Sequence, residues 1–206
     1  MENQALKIKP GVLVFDNYDS FTYNLVHLLE KILHKKVTVK RNDEITLEEV
    51  DLFDKIIVSP GPGIPGEAGL LLPLLKKYIP SKSILGVCLG HQAIAESLGG
   101  RLINLEEVFH GIATPVQIIN RAQKGTDIFE NVPNVFDAGR YHSWIVDEKT
   151  LPGELIVTAK DQNNLIMAFR HKTFPIHGVQ FHPESILTPY GEQILRNWLS
   201  MRNDNL

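Results

Sequence analysis

The sequence predicts an α/β fold: a mainly parallel central sheet with helices on both faces, plus a smaller antiparallel strand region. Three observations lead to it. Short runs that are apolar almost throughout, such as Val12-Leu13-Val14-Phe15 and Ile56-Ile57-Val58, recur along the first half of the chain. Segments with apolar residues at helical spacing separate them. From Arg101 to Arg170 the pattern changes to short strand-like pieces and turns. Strands apolar on both faces need cover on both faces, which is the habit of parallel sheets with crossover helices.

Taken in order, Val12 to Phe15 reads as a strand that runs into the polar cluster Asp16-Asn17-Tyr18-Asp19-Ser20. Ser20 is the expected N-cap of a helix over Phe21–Leu33, with Phe21, Leu25, Leu28, Leu29 and Ile32 on one stripe. Val37-Thr38-Val39 is a second strand and Leu47 to Leu52 a short helix. Lys55 to Val58 is a third strand, stopped by Ser59-Pro60-Gly61-Pro62-Gly63. Leu70 to Tyr78 suits a helix, Ser83 to Val87 a fourth strand, and Gly90 to Leu98 a helix. Later, Leu155 to Ala159 and Leu165 to Phe169 read as strands, with a hairpin turn over Lys172–Pro175. Gly178 to Phe181 gives another strand and Glu192 to Met201 a terminal helix.

The chain has 206 residues, the length of one domain, and residues 1–206 are read as such. Hydrophobic residues make up 43% and charged residues 22%, a balance that supports a packed core. The net charge is −3 with no basic stripe, which argues against nucleic acid as a partner. No apolar run is long enough to span a bilayer, and the first ten residues lack a signal-peptide pattern, so a cytoplasmic protein is expected. The one cysteine excludes a disulfide within the chain.

That cysteine, Cys88, is either a small buried hydrophobe or a reactive thiol. Its setting decides between them. Gly86-Val87-Cys88-Leu89-Gly90 lies between a strand and a helix, the arrangement of a nucleophile elbow. The glycines allow close strand–helix approach, and the positive end of the following helix favours thiolate. A thiol nucleophile needs a base. Among eight histidines, His182 ends an apolar strand in Gly178-Val179-Gln180-Phe181-His182-Pro183-Glu184, where catalytic groups collect. Glu184 stands two residues on and can orient the imidazole. Acyl chemistry also needs oxyanion donors, for which the amides of Leu89 and Gly61 are the candidates. The prolines beside Gly61 have no N–H and no GK[ST] follows, so a phosphate cradle is not expected. No H-E-x-x-H or comparable spacing appears, so no metal site is expected. His27, His34 and His91 read as surface or packing residues, and His110 and His142 are left without a role. The Asp16–Ser20 loop is read as a partner-facing surface in preference to a capping loop alone.

These stretches, with Phe21-Thr22-Tyr23-Asn24-Leu25, Arg140-Tyr141-His142-Ser143-Trp144 and Ser185-Ile186-Leu187-Thr188, give the chain its resemblance. It resembles the class I (triad) glutamine amidotransferases over nearly its whole length. Within them it is most similar to the component II group of anthranilate synthase and aminodeoxychorismate synthase. The resemblance implies a flavodoxin-like fold and a glutaminase in which Cys88 attacks glutamine, His182 moves the proton and Glu184 orients it. Gly61 and Leu89 then supply the oxyanion hole, and Gly61, Pro62, Gly63, Gln92, Ser143 and Trp144 hold glutamine. Ammonia passes to a chorismate-binding synthase subunit, which carries the Mg²⁺; this chain needs no cofactor. The family pattern also implies low activity until that partner docks; segment 59–66, dense in Gly and Pro, and segment 141–144, with its aromatics, are the candidates for the part that moves. The resemblance favours anthranilate over 4-amino-4-deoxychorismate as the product. The competing readings are a stand-alone γ-glutamyl hydrolase and a non-catalytic interaction protein.

Overall fold

A computed structural model describes residues 11–106 and 108–201. Its main sheet has nine strands. In chain order these are β1 (Val12–Asp16), β2 (Thr38–Arg41), β3 (Lys55–Val58), β4 (Ser83–Val87), β6 (Ile112–Ile118), β7 (Val135–Arg140), β9 (Leu155–Asp161), β10 (Ile166–His171) and β11 (Ile176–Val179). The remaining two, β5 (Leu102–Asn104) and β8 (Trp144–Val146), form a separate antiparallel pair. The helices are α1 (Thr22–Leu33), α2 (Leu47–Val50), α3 (Leu71–Tyr78), α4 (Leu89–Ser97) and α5 (Gly191–Ser200).

The order across the main sheet is β2-β1-β3-β4-β11-β10-β9-β6-β7. The neighbours from β2 to β11 run parallel, and those from β11 to β7 run antiparallel. The predicted antiparallel region is therefore continuous with the parallel half and joins it at β11. β11 enters between β4 and β10, so a late segment of the chain sits beside the elbow strand.

Strand β1 shows why both faces are covered. Val12 and Val14 pack with Leu25, Leu29 and Trp198 of α1 and α5 on one side. Leu13 and Phe15 pack with Val50, Leu74 and Ala93 of α2, α3 and α4 on the other. All five residues of β1 are buried. Strand β7 is different: Val135 and Asp137 are exposed while Phe136 and Ala138 are buried, the alternation of a strand with one open face.

Most element ends shift by a residue or two from the sequence reading, and four differences are informative. Ser20 does not cap α1; the Phe21 amide donates to Oδ1 of Asp19 at 2.7 Å, and Thr22 Oγ1 donates to Asp16 at 2.8 Å. Phe21 takes the capping position with no side-chain cap, and the aspartates brace the loop that leads into the helix. Strand β2 begins and ends later than Val37–Val39, because its register follows β1, Leu13 opposite Thr38 and Asp16 opposite Arg41. Helix α2 stops at Val50, short of Leu52. Strand β11 begins at Ile176 rather than Gly178, so Phe181 and His182 fall in the loop beyond it. The hairpin turn over Lys172–Pro175 is present between β10 and β11.

Candidate active site

Cys88 is the single residue between β4 and α4. Its backbone has φ +52° and ψ −101°, in the region that a non-glycine residue enters only under strain. The amide of Cys88 donates to the carbonyl of Val179 at 2.9 Å, which ties the elbow to β11. The flanking glycines answer a packing requirement. A Cβ on Gly86 would lie 2.5 Å from the carbonyl group of Gly90, and one on Gly90 would lie 2.6 Å from the carbonyl oxygen of Val58. Helix α4 can approach β3 and β4 this closely only without those side chains. The amide of Leu89 begins α4, so helix geometry gives it no intrahelical acceptor.

Segment 59–63 lies against the elbow. A Cβ on Gly61 would meet Leu89 Cδ2 and Asn17 Cβ, each at 2.6 Å. Asn17 pins the base of this segment: its amide donates to Ser59 Oγ at 2.9 Å and its Nδ2 to the Ser59 carbonyl at 3.0 Å. Asp16 and Asn17 are thus buried structural residues, whereas Tyr18 and Tyr23 are exposed. The Asp16–Ser20 loop divides its work between holding the site and facing outward.

His182 follows β11 by three positions and is held by its own backbone. Its amide donates to the Gly139 carbonyl at 3.0 Å, and its carbonyl accepts from Thr188 Oγ1 at 2.6 Å. Nδ1 of its ring lies 2.7 Å from Oε1 of Glu184. Burial works to lower the imidazole's pKa, but its interactions with Cys88 and Glu184 outweigh this and hold it well above the ordinary value. Two aromatic rings cover it edge-on, Tyr141 at 4.8 Å and Phe21 at 5.7 Å between ring centres. A thiol, a proton-retaining imidazole and a buried carboxylate together can run nucleophilic acyl transfer.

A cavity of about 260 Å³ opens at Cys88. Its walls include Gly61, Pro62, Gly63, Leu89, Gln92, Ser143 and Trp144, so the structure brings every residue that sequence reasoning connected with glutamine to one place. His182 and Glu184 lie outside that lining. Tyr141, His142 and Phe109 also line the cavity; sequence reasoning named the first two only as part of a segment that moves, and gave Phe109 no role. Tyr141 and His142 belonged to a recognised stretch, so a signal existed; Phe109 carried none. His91 is fully buried and stacked on Phe169 at 4.2 Å, a packing residue as expected. Among the described residues no group of His, Cys, Asp and Glu side chains is placed to hold a metal ion. A larger hollow of about 760 Å³ lies by the Lys172–Pro175 turn and contains none of these residues.

An α/β sheet with a strained cysteine elbow at its carboxyl edge, together with a buried His–Glu pair, has the parts that thiol-dependent acyl transfer of the triad type requires. The chain belongs to the glutamine amidotransferase class-I family, whose model matches residues 13–201. It is 46% identical over 190 residues to the aminodeoxychorismate/anthranilate synthase component 2 of Bacillus subtilis, covering 91% of this chain and 95% of the relative. It is 43% identical over 190 residues to the aminodeoxychorismate synthase component 2 of Escherichia coli, covering 91% and 98%. A solved structure from Thermoplasma acidophilum, provisionally described as one component of a GMP synthase, superposes with a TM-score of 0.81 at 28% identity, covering 93% of this chain and 92% of that one. No helix among the described residues is long and apolar enough to cross a membrane.

Proposed function

We propose that this chain, as one glutamine amidotransferase domain, is the glutaminase component of a chorismate-using synthase, with Cys88 as nucleophile. The single observation that carries the reading is Cys88 at the mouth of the cavity formed by Gly61, Gln92, Ser143 and Trp144, with the His182–Glu184 pair beside it. His182 Nε2 takes the thiol proton as Sγ attacks the side-chain amide carbon of glutamine. The amides of Gly61 and Leu89 receive the oxyanion. His182, held in its protonated form by Cys88 and Glu184, then delivers the proton to the leaving nitrogen. Ammonia departs and a γ-glutamyl thioester stays on Cys88. Water, deprotonated by His182, releases glutamate. Gly61, Pro62, Gly63, Gln92, Ser143 and Trp144 hold the substrate. This chain uses no cofactor; Mg²⁺ is a requirement of the partner synthase, and both chains work in the cytoplasm.

The acceptor chain binds chorismate, and the product is anthranilate. The Bacillus subtilis relative carries both synthase names, which keeps 4-amino-4-deoxychorismate as a second product. The test pairs the purified chain with each chorismate-binding synthase and identifies the product from glutamine and from ammonia. Cys88→Ser is expected to abolish glutamine-dependent synthesis and to leave ammonia-dependent synthesis intact. Unchanged glutamine-dependent synthesis would refute the nucleophile. Glutamine turnover equal with and without the synthase would refute control by docking, and steady hydrolysis of γ-glutamyl peptides would favour a stand-alone hydrolase.

A further inference from the structure

The Cys88 sulfur has a second neighbour of definite chemistry. Nε2 of Gln180 donates to Sγ at 3.6 Å. Gln180 is fully buried, and its backbone amide donates to the Met167 carbonyl at 2.8 Å, so the side chain springs from a fixed point beyond β11. Its Oε1 accepts from Gln92 Nε2 at 3.2 Å. The other hydrogen of that Gln92 nitrogen goes to the carbonyl of Trp144 at 2.7 Å.

The Trp144 carbonyl is held from the other side as well. His142 Nδ1 lies 3.1 Å from it, and His142 Nε2 lies 3.2 Å from Nε of Arg140. A guanidinium only donates, so Nε2 of His142 is the acceptor and Nδ1 carries the hydrogen. Burial, helped by the charge of Arg140, brings the His142 pKa down to about 3, which keeps the ring neutral and in this one tautomer. Arg140 in turn is anchored by Asp161 at 2.6 Å, with both side chains buried.

Two donor series meet at the Trp144 carbonyl, and each hydrogen in them has one assigned donor. Arg140 donates to His142, His142 and Gln92 both donate to the Trp144 carbonyl, Gln92 donates to Gln180, and Gln180 donates to sulfur. With Gln92 supplying hydrogen to Oε1, the Gln180 amide can present only its NH₂ group to Cys88. An N–H aimed at sulfur stabilises developing thiolate charge and fixes the direction from which Sγ attacks. We infer that Gln180 is a positioning residue for the nucleophile, oriented through Gln92, the Trp144 carbonyl and His142. The inference rests on the glutaminase reading of Cys88. It also couples the thiol to the wall of the glutamine cavity, since Gln92 and Trp144 belong to both.

The test uses the full chain with Gln180→Met, which keeps the length and loses the donor, and Gln180→Glu, which keeps the reach and replaces the donor by a carboxylate. Three quantities are read: kcat and KM for glutamine, the pH dependence of Cys88 alkylation by iodoacetamide, and the melting temperature. Loss of one hydrogen bond to a charged group predicts a kcat about ten- to a hundredfold lower, with KM changed less than about threefold. The alkylation profile is expected to move to higher pH in Gln180→Met and further in Gln180→Glu. An unshifted profile with unchanged kcat would overturn the inference, and so would a rise confined to KM, which would make Gln180 a binding residue only. Alkylation reads the thiol whether or not a synthase is the acceptor, so this result stands apart from the pathway assignment. If both variants fail to fold, the unsubstituted chain decides: alkylating Cys88 is expected to move the side-chain amide resonances of Gln180, and unmoved resonances would overturn the inference.

Discussion

Nδ1 of His182 lies 2.7 Å from Oε1 of Glu184, and the two side chains are 2% and 0% exposed. The pair sits in a place water does not reach, so the carboxylate's grip on the ring is unscreened. It fixes which ring nitrogen turns toward Cys88.

Replacing Glu184 by Gln keeps the size and removes the charge. The expected result is a kcat for glutamine hydrolysis lower by about 10²-fold, with KM within about threefold, because the loss falls on proton transfer. Steady-state kinetics of the synthase complex measures both. A variant that changes only KM would place Glu184 outside the proton-transfer machinery.

Gly61 and Gly90 separate two kinds of damage. A Cβ on Gly90 meets the Val58 backbone, which cannot give way, so Gly90→Ala is expected to cost about 1–3 kcal/mol of stability. A Cβ on Gly61 meets Leu89 and Asn17 at the cavity wall. Gly61→Ala is expected to lower kcat/KM about 10²-fold, the size of losing one oxyanion donor, with a smaller drop in melting temperature. Calorimetry and kinetics on the two variants distinguish these outcomes. Equal melting temperatures in Gly90→Ala and the parent would contradict the packing argument.

How far the sequence speaks follows from how local each signal is. The elbow was legible because Gly86, Cys88 and Gly90 specify it within five residues. His182 and Glu184 were legible for the same reason. The rest of the cavity wall was not, since Phe109, Tyr141 and His142 come to the cavity only through the pairing of β6, β7 and the β5–β8 pair. No local period encodes those pairings. Gln180 stood in a recognised stretch, yet its role depends on Gln92 and Trp144, far away in sequence. The expected Ser20 cap of α1 is absent because Asp16 and Asp19 hold the loop through Thr22 and Phe21, which puts Phe21 at the cap position with no side-chain cap.

Acid is expected to unfold the protein early. Burial lowers His91, His142 and His177 from 6.5 to about 3, His142 with help from Arg140 and His177 with help from Arg170 and Lys55. Each is neutral when folded and takes up a proton on unfolding between those two values. Their contribution is complete above 6.5 and declines as pH falls toward 3. His182 has the opposite sign: its contribution is present below 6.5 and is lost as pH rises through its raised folded value. Urea titrations at pH 7 and pH 5 are expected to show a lower midpoint at pH 5, with proton uptake on unfolding approaching three. A pH-independent midpoint across that range would contradict the burial of these rings.

Arg140 and Asp161 form a buried ion pair at 2.6 Å, and Asp161 also accepts from the amides of Asn163 and Leu165. Asp161→Asn removes the carboxylate charge of this buried pair while keeping the side chain's size. The expected cost is about 2 kcal/mol or more, read from the urea midpoint. A loss under about 1 kcal/mol would show that the site admits water.

The position of β11 has a consequence for how the protein comes into being. Cys88 emerges from the ribosome well before the strand that must lie beside it, and 92 residues separate it from Gln180. Between them lie β6, β7, β9 and β10 of the antiparallel half, all made before the β11 that takes its place next to β4. A nascent chain therefore carries the Cys88 thiol with neither His182 nor Gln180 beside it. Under the proposed mechanism glutamine cleavage waits until β11 closes the sheet, which makes completion of the fold a switch in its own right.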